Sequence, residues 1–454
     1  MSEQNRTTTA LGLPAGIIHG PESEVYRAAT SPHNTVAPQH PAVVARPRQD
    51  REVAALVHWA ADRNLRVAVQ ASGHGAGAAI GDDQLLIDTS ALDTVDIDPV
   101  AHTGHIGAGA TWTRVNAAAA RFGLAGLAGT SSTVAVSGYT FGGGVGWLLH
   151  PYGLASAALL AVDYVDGAGR MRRAAEDAVD PIDREALWTF RGGGGVGIAT
   201  GLTVRLVAPT AMWAGYRLWG IDALDAVITA YHRGLAAAGD ALSTSLAVLH
   251  TPPAGPFPPE LSGRPVVHLA YASPAGEAAA APLLEALSTV PAPATEDPWG
   301  PADGARLAHI HLDPSGPMPA LGLGRWLDPN TPDVSAALLN RAASPAGGIA
   351  MLELRNTART TAGPEGAMTT SPGPWLLHAV GIGATAEPAL AAIEMLAAPA
   401  DTGQAMASFA EGRAAVANAL PDPALARLRA IRAAVDPERR IVPSRVGTAT
   451  GRRQ

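Results

Sequence analysis

Glycine is gathered into three short stretches of the first half of the chain, residues 73–77, 142–146 and 192–197, and no regular element can run through them without loss. Each glycine inside a helix or strand costs about 0.5–1 kcal/mol relative to alanine, so runs of this density fold as loops. A loop without side chains lets a ligand approach the backbone, and successive N–H groups in such a turn form a concavity suited to anions.

The first stretch, "VAVQASGHGAG", leads from a predicted strand into Gly73, Gly75 and Gly77, and Asp88 ends the next strand. A dinucleotide fingerprint of the Rossmann kind has this outline. Its spacing argues otherwise: residues 78–84 alone separate Gly77 from the strand at Leu85, whereas a parallel crossover takes about a dozen residues or more, usually as a helix. The expectation is a loop that binds an anion through its own backbone, with no helix behind it. His74 stands between two glycines there, where an imidazole can come close to a ligand.

Composition removes several classes of function. The chain has no Cys, which excludes disulfides, thiolate metal sites and thioether links to a cofactor. Its net charge is −8 and its 32 basic residues are all arginine, scattered along the sequence, so it lacks the clustered positive stripe that nucleic acid requires. No run approaches the ~18 apolar residues of a membrane helix, and a soluble, cytoplasmic protein is expected. Metal ligation is not expected either: "HIH" at His309 and His311 has only Asp313 beside it. No G-x-S-x-G elbow is present for a serine hydrolase.

Periodicity predicts a helix after Asp50, strands at residues 67–70 and 85–88, a helix ended by Gly123, and a hairpin turning at residues 166–169. From about Pro209 the texture changes. Strand candidates "STSLAVLH", "RPVVHLAYA", "IAMLELR" and "PWLLHAV" alternate with Ala-rich helical stretches, which reads as a second lobe on an antiparallel sheet. The chain closes on an amphipathic helix stopped by Asp436 and Pro437.

Taken in order, "QASGHGAG", "GLAGTSSTVAVSGYTFGGGVGWLLHPYGL", "VDGAGR" and "LWTFRGGGGVGIATGLTVRL" resemble the FAD-binding domain of the berberine bridge enzyme-like oxidases, of the vanillyl-alcohol oxidase and p-cresol methylhydroxylase superfamily. The likeness continues through "HIHLDP" and "MLELR" to "VDPERRIVP" and is strongest to the bacterial natural-product branch. It implies an α+β, two-lobed flavoprotein: residues 1–207 as a p-cresol methylhydroxylase-type FAD-binding domain, 208–399 as an antiparallel-sheet substrate domain, and 400–454 returning to the first.

The resemblance also implies site residues. His74 would carry FAD covalently, with Ala71, Ser72, Gly73, Gly75 and Ala76 around the pyrophosphate. Ser131 replaces the cysteine that gives many relatives a second link, so a single attachment is expected. Gly129, Thr130, Val134, Ala135, Gly138, Tyr139, Gly142 and Gly143 would line the flavin, with the Tyr139 hydroxyl available to its pyrimidine edge. Gly192, Gly197 and Ile198 would lie near the adenosine half. The chain departs from its relatives at Ala157 and Ala158, in the third glycine run, "GGGGVGIAT", which is one residue shorter, and where Pro443 and Ser444 replace a polar tail.

The implied activity is oxidation of a small organic substrate, a secondary metabolite, by hydride transfer to flavin N5 with O2 as acceptor. The alternative is a non-oxidative cyclase or ligand-binding scaffold on the same fold. Alternation puts Met351, Glu353 and Arg355 on one strand face, and Val267, Leu269 and Tyr271 on one face with His268 opposite. Glu353 is the first candidate for a catalytic polar group, with Tyr139, Tyr271 and His378 after it; a buried Glu353–Arg355 ion pair is the competing reading. With 5% aromatic residues the chain is poorly equipped to stack sugars, and an aliphatic pocket for a neutral, hydrophobic molecule is expected.

Overall fold

The computed structural model describes residues 16–448 except 256, 315, 345–347 and 358–361. The outermost parts of the expected domain ranges, residues 1–15 and 449–454, therefore lie outside the described residues. Among the described residues three sheets organise the chain, with helices against them, which is the expected α+β architecture.

The first sheet orders its strands Ile18–His19, Val43–Ala45, Gln84–Asp88 and Arg66–Gln70. Here one expectation fails. Arg66–Gln70 and Gln84–Asp88 pair in parallel. The crossover is the whole of residues 71–83, counted from the strand end rather than from the last glycine, and this is long enough without a helix. The absence of a helix behind the loop stands. Helix Asp50–Ala61 covers the sheet with Val53, Leu56, Val57 and Ala60, fully buried at the 3–4 residue spacing of one helical face.

A five-stranded antiparallel sheet follows, Val95–Asp98, Thr103–Gly107, Ile198–Arg205, Leu159–Val165 and Met171–Ala175 in spatial order. The eight-stranded sheet runs Thr295–Pro301, Trp213–Gly220, Pro265–Ser273, Ser243–His250, Ile349–Asn356, Trp375–Ile382, Ala320–Leu327 and Asp401–Ala405, antiparallel at every pairing. Its last strand lies beyond residue 399, so the terminal segment completes this sheet before Met406 to Val446 join the core around the five-stranded sheet.

The large sheet has two unlike faces. Leu246, Val248, Val267, Leu269, Tyr271, Leu352, Leu354 and Leu377 pack under the helices Leu224–Ala238, Thr331–Ala343 and Ala386–Ala397. Ser245, His268, Glu353, Arg355 and His378 alternate with them and belong to the opposite face. No helix among the described residues is long and apolar enough to cross a membrane.

Candidate functional site

A cavity of about 1230 Å³ opens between the polar face of the large sheet and the glycine loops, with the C-terminal segment closing one end. Most of the residues expected at a cofactor line it: Ala71, Ser72, Gly73, His74, Gly75 and Ala76 from the first loop, Gly129, Thr130, Ser131, Val134 and Ala135 from the segment before helix Val136–Phe141, Gly138 and Tyr139 from that helix, Gly142 from the second loop, and Gly197 from the third. Three do not. Gly143 faces Met406, Gly192 faces the backbone of Met368, and Ile198 is buried in the core under the first sheet. In the third loop the wall is instead made by Gly194, Gly195, Val196 and Ala199, the residues that follow the turn and flank Gly197.

Local geometry explains the first loop. Gly73 has φ +71°, and a Cβ there would lie 2.4 Å from the side chain of Pro32, so only glycine fits. Ser72 Oγ accepts from the backbone N–H of Ala135 at 3.1 Å, tying the first loop to the start of helix Val136–Phe141. The His74 ring stacks on His33 at 3.6 Å, and its Nε2 hydrogen-bonds the Thr133 hydroxyl at 2.9 Å. Burial, helped by the adjacent His33, pushes His74 down to about 4, so its imidazole is neutral over the physiological range.

Tyr139 is buried at 8% exposure, set edge-on to Trp112, and its ring packs against Gly129 and Gly144. Its hydroxyl is buried beside Gly146 with no hydrogen-bond partner among the described residues, and burial raises its pKa, leaving it neutral.

The proposed base looks different in three dimensions. Glu353 is fully buried and does not line the cavity; it sits behind Arg355 and His378, which do. Its carboxylate accepts from the Ser245 hydroxyl at 2.5 Å, from His311 Nε2 and His378 Nδ1 at 2.9 Å, and from Arg355 Nε and Nη2 at 2.8 Å. Five donors exceed the about four lone-pair sites of a carboxylate, so no acceptor capacity remains for a substrate proton. Burial pushes Glu353 up, but Arg355, His311 and His378 outweigh it and hold the carboxyl well below the usual range. Glu353 is the centre of a buried ion network that includes Arg355, the competing reading, and lies off the cavity wall.

The other nitrogens of both histidines are engaged as well. His311 Nδ1 donates to Asp313 at 2.8 Å and His378 Nε2 to Glu411 at 3.2 Å. Burial lowers each imidazole, yet its carboxylates prevail: Asp313 and Glu353 raise His311 to about 9, and Glu411 and Glu353 raise His378 to about 9. Both are imidazolium ions at neutral pH, and neither takes up a proton. Tyr271 is a second correction. It is fully buried on the helix-covered face, stacked on Trp299 at 5.4 Å, and absent from the cavity wall, so it touches no ligand there.

This network sets a pH window for stability. Histidines raised from about 6.5 to about 9 hold protons that the unfolded chain has released, so their stabilisation is complete below about 6.5 and is lost as pH rises through 9. Carboxyls held low, Glu353 and Asp313, stabilise above about 4.5 and lose that contribution in acid. His74 and His268, pushed by burial down to about 4 and about 3, oppose this by costing stability as pH falls below about 6.5, so the melting temperature is expected to be highest near pH 6.5 and to fall toward pH 9.5; a scanning-fluorimetry profile flat over the alkaline range would refute the network's charge states.

Sequence reasoning missed His33, Thr133, His311, Asp313 and Glu411. "HIHLDP" was visible as a motif, but only the fold brings it to Glu353.

Comparison with known proteins finds a domain match in the first half of the chain and solved structures that share the fold. Residues 41–175 match the family described as FAD binding domain. The (R)-6-hydroxynicotine oxidase of Paenarthrobacter nicotinovorans is 29% identical over 218 residues, covering 47% of this chain and 46% of the relative. The chain thus matches about half the length of that curated relative. Among solved structures, the berberine bridge enzyme-like protein 1 of Physcomitrella patens superposes with a TM-score of 0.79 at 17% identity, covering 94% of this chain and 96% of that one. Glucooligosaccharide oxidase of Acremonium strictum, solved with a 6-S-cysteinyl, 8α-N1-histidyl FAD, gives 0.76 at 16% identity over 98% of this chain and 99% of its own.

Proposed function

The chain carries an FAD binding domain and shares the fold of the berberine bridge enzyme-like flavoproteins, and from this premise we propose that it is an FAD-dependent oxidase of a small organic molecule. The observation that carries the proposal is the convergence of three glycine loops and His74 on one cavity. The cavity fits the cofactor by its own lining: glycine backbone without side chains on the anion-binding side.

Residues 71–76 would hold the pyrophosphate, and Gly129, Thr130, Val134, Ala135, Gly138 and Gly142 the ring system. His74 would carry the covalent link: Nε2 is held by Thr133, and Nδ1 has no recorded hydrogen bond among the described residues. Ser131 offers no thiolate for a second link. When bound, the flavin supplies hydride acceptance at N5 and electron transfer to O2. The protein's part is orientation and exclusion of water. Leu249, Phe257, Leu312, Met351, Val380 and Ile382 give the substrate side an apolar wall, which supports a largely neutral, hydrophobic substrate such as a secondary metabolite. Arg355, pinned by Glu353 and stacked 5.0 Å over Phe409, adds one fixed cation to that wall. The division at 207 and 399 and a cytoplasmic location are parts of the same reading.

Oxygen reactivity tests the activity. Protein reduced anaerobically and then mixed with air should reoxidise within seconds and release one H2O2 per flavin. Val134 and Ala135 leave small side chains beside the proposed ring site for O2 to approach. Reduced flavin that persists in air but passes electrons to an artificial acceptor would make the protein a dehydrogenase. Flavin that no substrate bleaches, in a protein that still converts a ligand, would favour the non-oxidative alternative.

A further inference from the structure

Arginine is distributed unevenly between paired and unpaired sites. Arg427 is bound by Glu185 and Glu365, Arg413 by Glu387, and Arg355 by Glu353. Arg432 and Arg445, both on the cavity wall, have no carboxylate within ion-pair distance among the described residues. Arg445 Nη1 donates to the Ala410 carbonyl at 2.6 Å. Arg432 donates to the Val446 carbonyl at 2.7 Å and to the Ser444 hydroxyl at 2.6 Å. A guanidinium has five N–H donors, so most of those on Arg445 and several on Arg432 are unfilled.

Their positions are specific. Arg445 Nη2 lies 3.0 Å from where a Cβ of Gly75 would be, so this guanidinium rests directly on the first glycine loop. Arg432 reaches the third loop through Ser444, whose Oγ lies 2.2 Å from where a Cβ of Gly194 would be. The C-terminal segment therefore lays Arg445 against the first loop and joins Arg432 to the third through Ser444, both on one shared cavity. Glu411 offsets part of the Arg445 charge at longer range, but its hydrogen bond goes to His378. Burial pushes Arg432 down to about 10, with Arg429 adding repulsion, and lowers Arg445 as well despite Glu411.

Resting on the FAD reading above, we propose that Arg445 and Arg432 are cofactor-binding residues that clamp the diphosphate of FAD between the first and third glycine loops. Guanidinium groups match phosphate oxygens with paired, charge-assisted hydrogen bonds, and the loop backbone supplies the remaining donors. The clamp also answers the departure at Pro443 and Ser444: the polar tail is missing, and the arginine one position further along takes its place.

The test uses the full chain with His74→Ala, so that flavin exchanges freely, and measures affinities for FAD and for riboflavin, which lacks the diphosphate. Arg445→Gln and Arg432→Gln should each weaken FAD about tenfold to a hundredfold and leave riboflavin unchanged, with Arg445→Lys recovering part of the loss. FAD affinity within twofold of the parent in both Gln variants would overturn the clamp, as would equal losses for FAD and riboflavin, which indicate a structural role. If inorganic diphosphate binding to the flavin-loaded chain is what the variants lose, the anion belongs to a substrate and the clamp is overturned. A parent that takes up neither flavin refutes the cofactor reading itself, a result distinct from all of these.

Discussion

Replacing His74 with alanine should move the flavin from the acid-precipitated protein into the supernatant. In the unaltered chain essentially all flavin should stay with the pellet, and a tryptic peptide containing His74 should carry the added mass. The expectation follows from geometry as well as position. The ring is neutral, fixed by Thr133 on one nitrogen and by the face of His33, and the chain has no cysteine to supply another attachment. A single substitution should therefore abolish covalent binding completely while the fold persists, because His74 contributes no core packing. Flavin that washes free from the unaltered chain would make His74 a contact residue only. Flavin retained after His74→Ala would place the link elsewhere.

Glu353→Gln should have the largest effect on stability. The substitution keeps shape but leaves three cations, Arg355, His311 and His378, around a neutral amide in a fully buried site. Removing one partner of a buried ion network costs about 3–5 kcal/mol, and the amide's own N–H2 adds a donor where five donors already converge. The urea midpoint and melting temperature should both drop markedly, and flavin loading should fall with them as Arg355 loses its anchor. If the variant instead melts like the parent while flavin reduction by substrate collapses, Glu353 is a base after all.

These two residues show what could be read from sequence and what could not. His74 lines the cavity as its glycine neighbours suggest, but its proposed role as attachment point comes from the resemblance, not from its sequence neighbourhood. Glu353 and Arg355 were correctly placed on one strand face by alternation, yet alternation is symmetric and does not say which face meets the cavity. Tyr271 was assigned to the wrong side for that reason: its strand alternates as expected, but helices from elsewhere in the chain cover the Tyr271 face. His311 and Glu411 lie 42 residues before Glu353 and 33 residues after His378 respectively, and only cross-strand register and loop closure bring them together. The crossover between the first two parallel strands was misjudged by counting from the last glycine, since the loop's glycines are themselves part of the connection. In the third loop the motif was found but its register was displaced, with Gly194 and Gly195 facing the cavity instead of Gly192.

The most direct test of the whole account is the cofactor content of the purified full chain. One FAD per chain, identified by mass after proteolysis and by a flavin absorbance spectrum, is the predicted result. A colourless protein that remains colourless after incubation with excess FAD, while melting cooperatively, would contradict the assignment of the cavity to this cofactor.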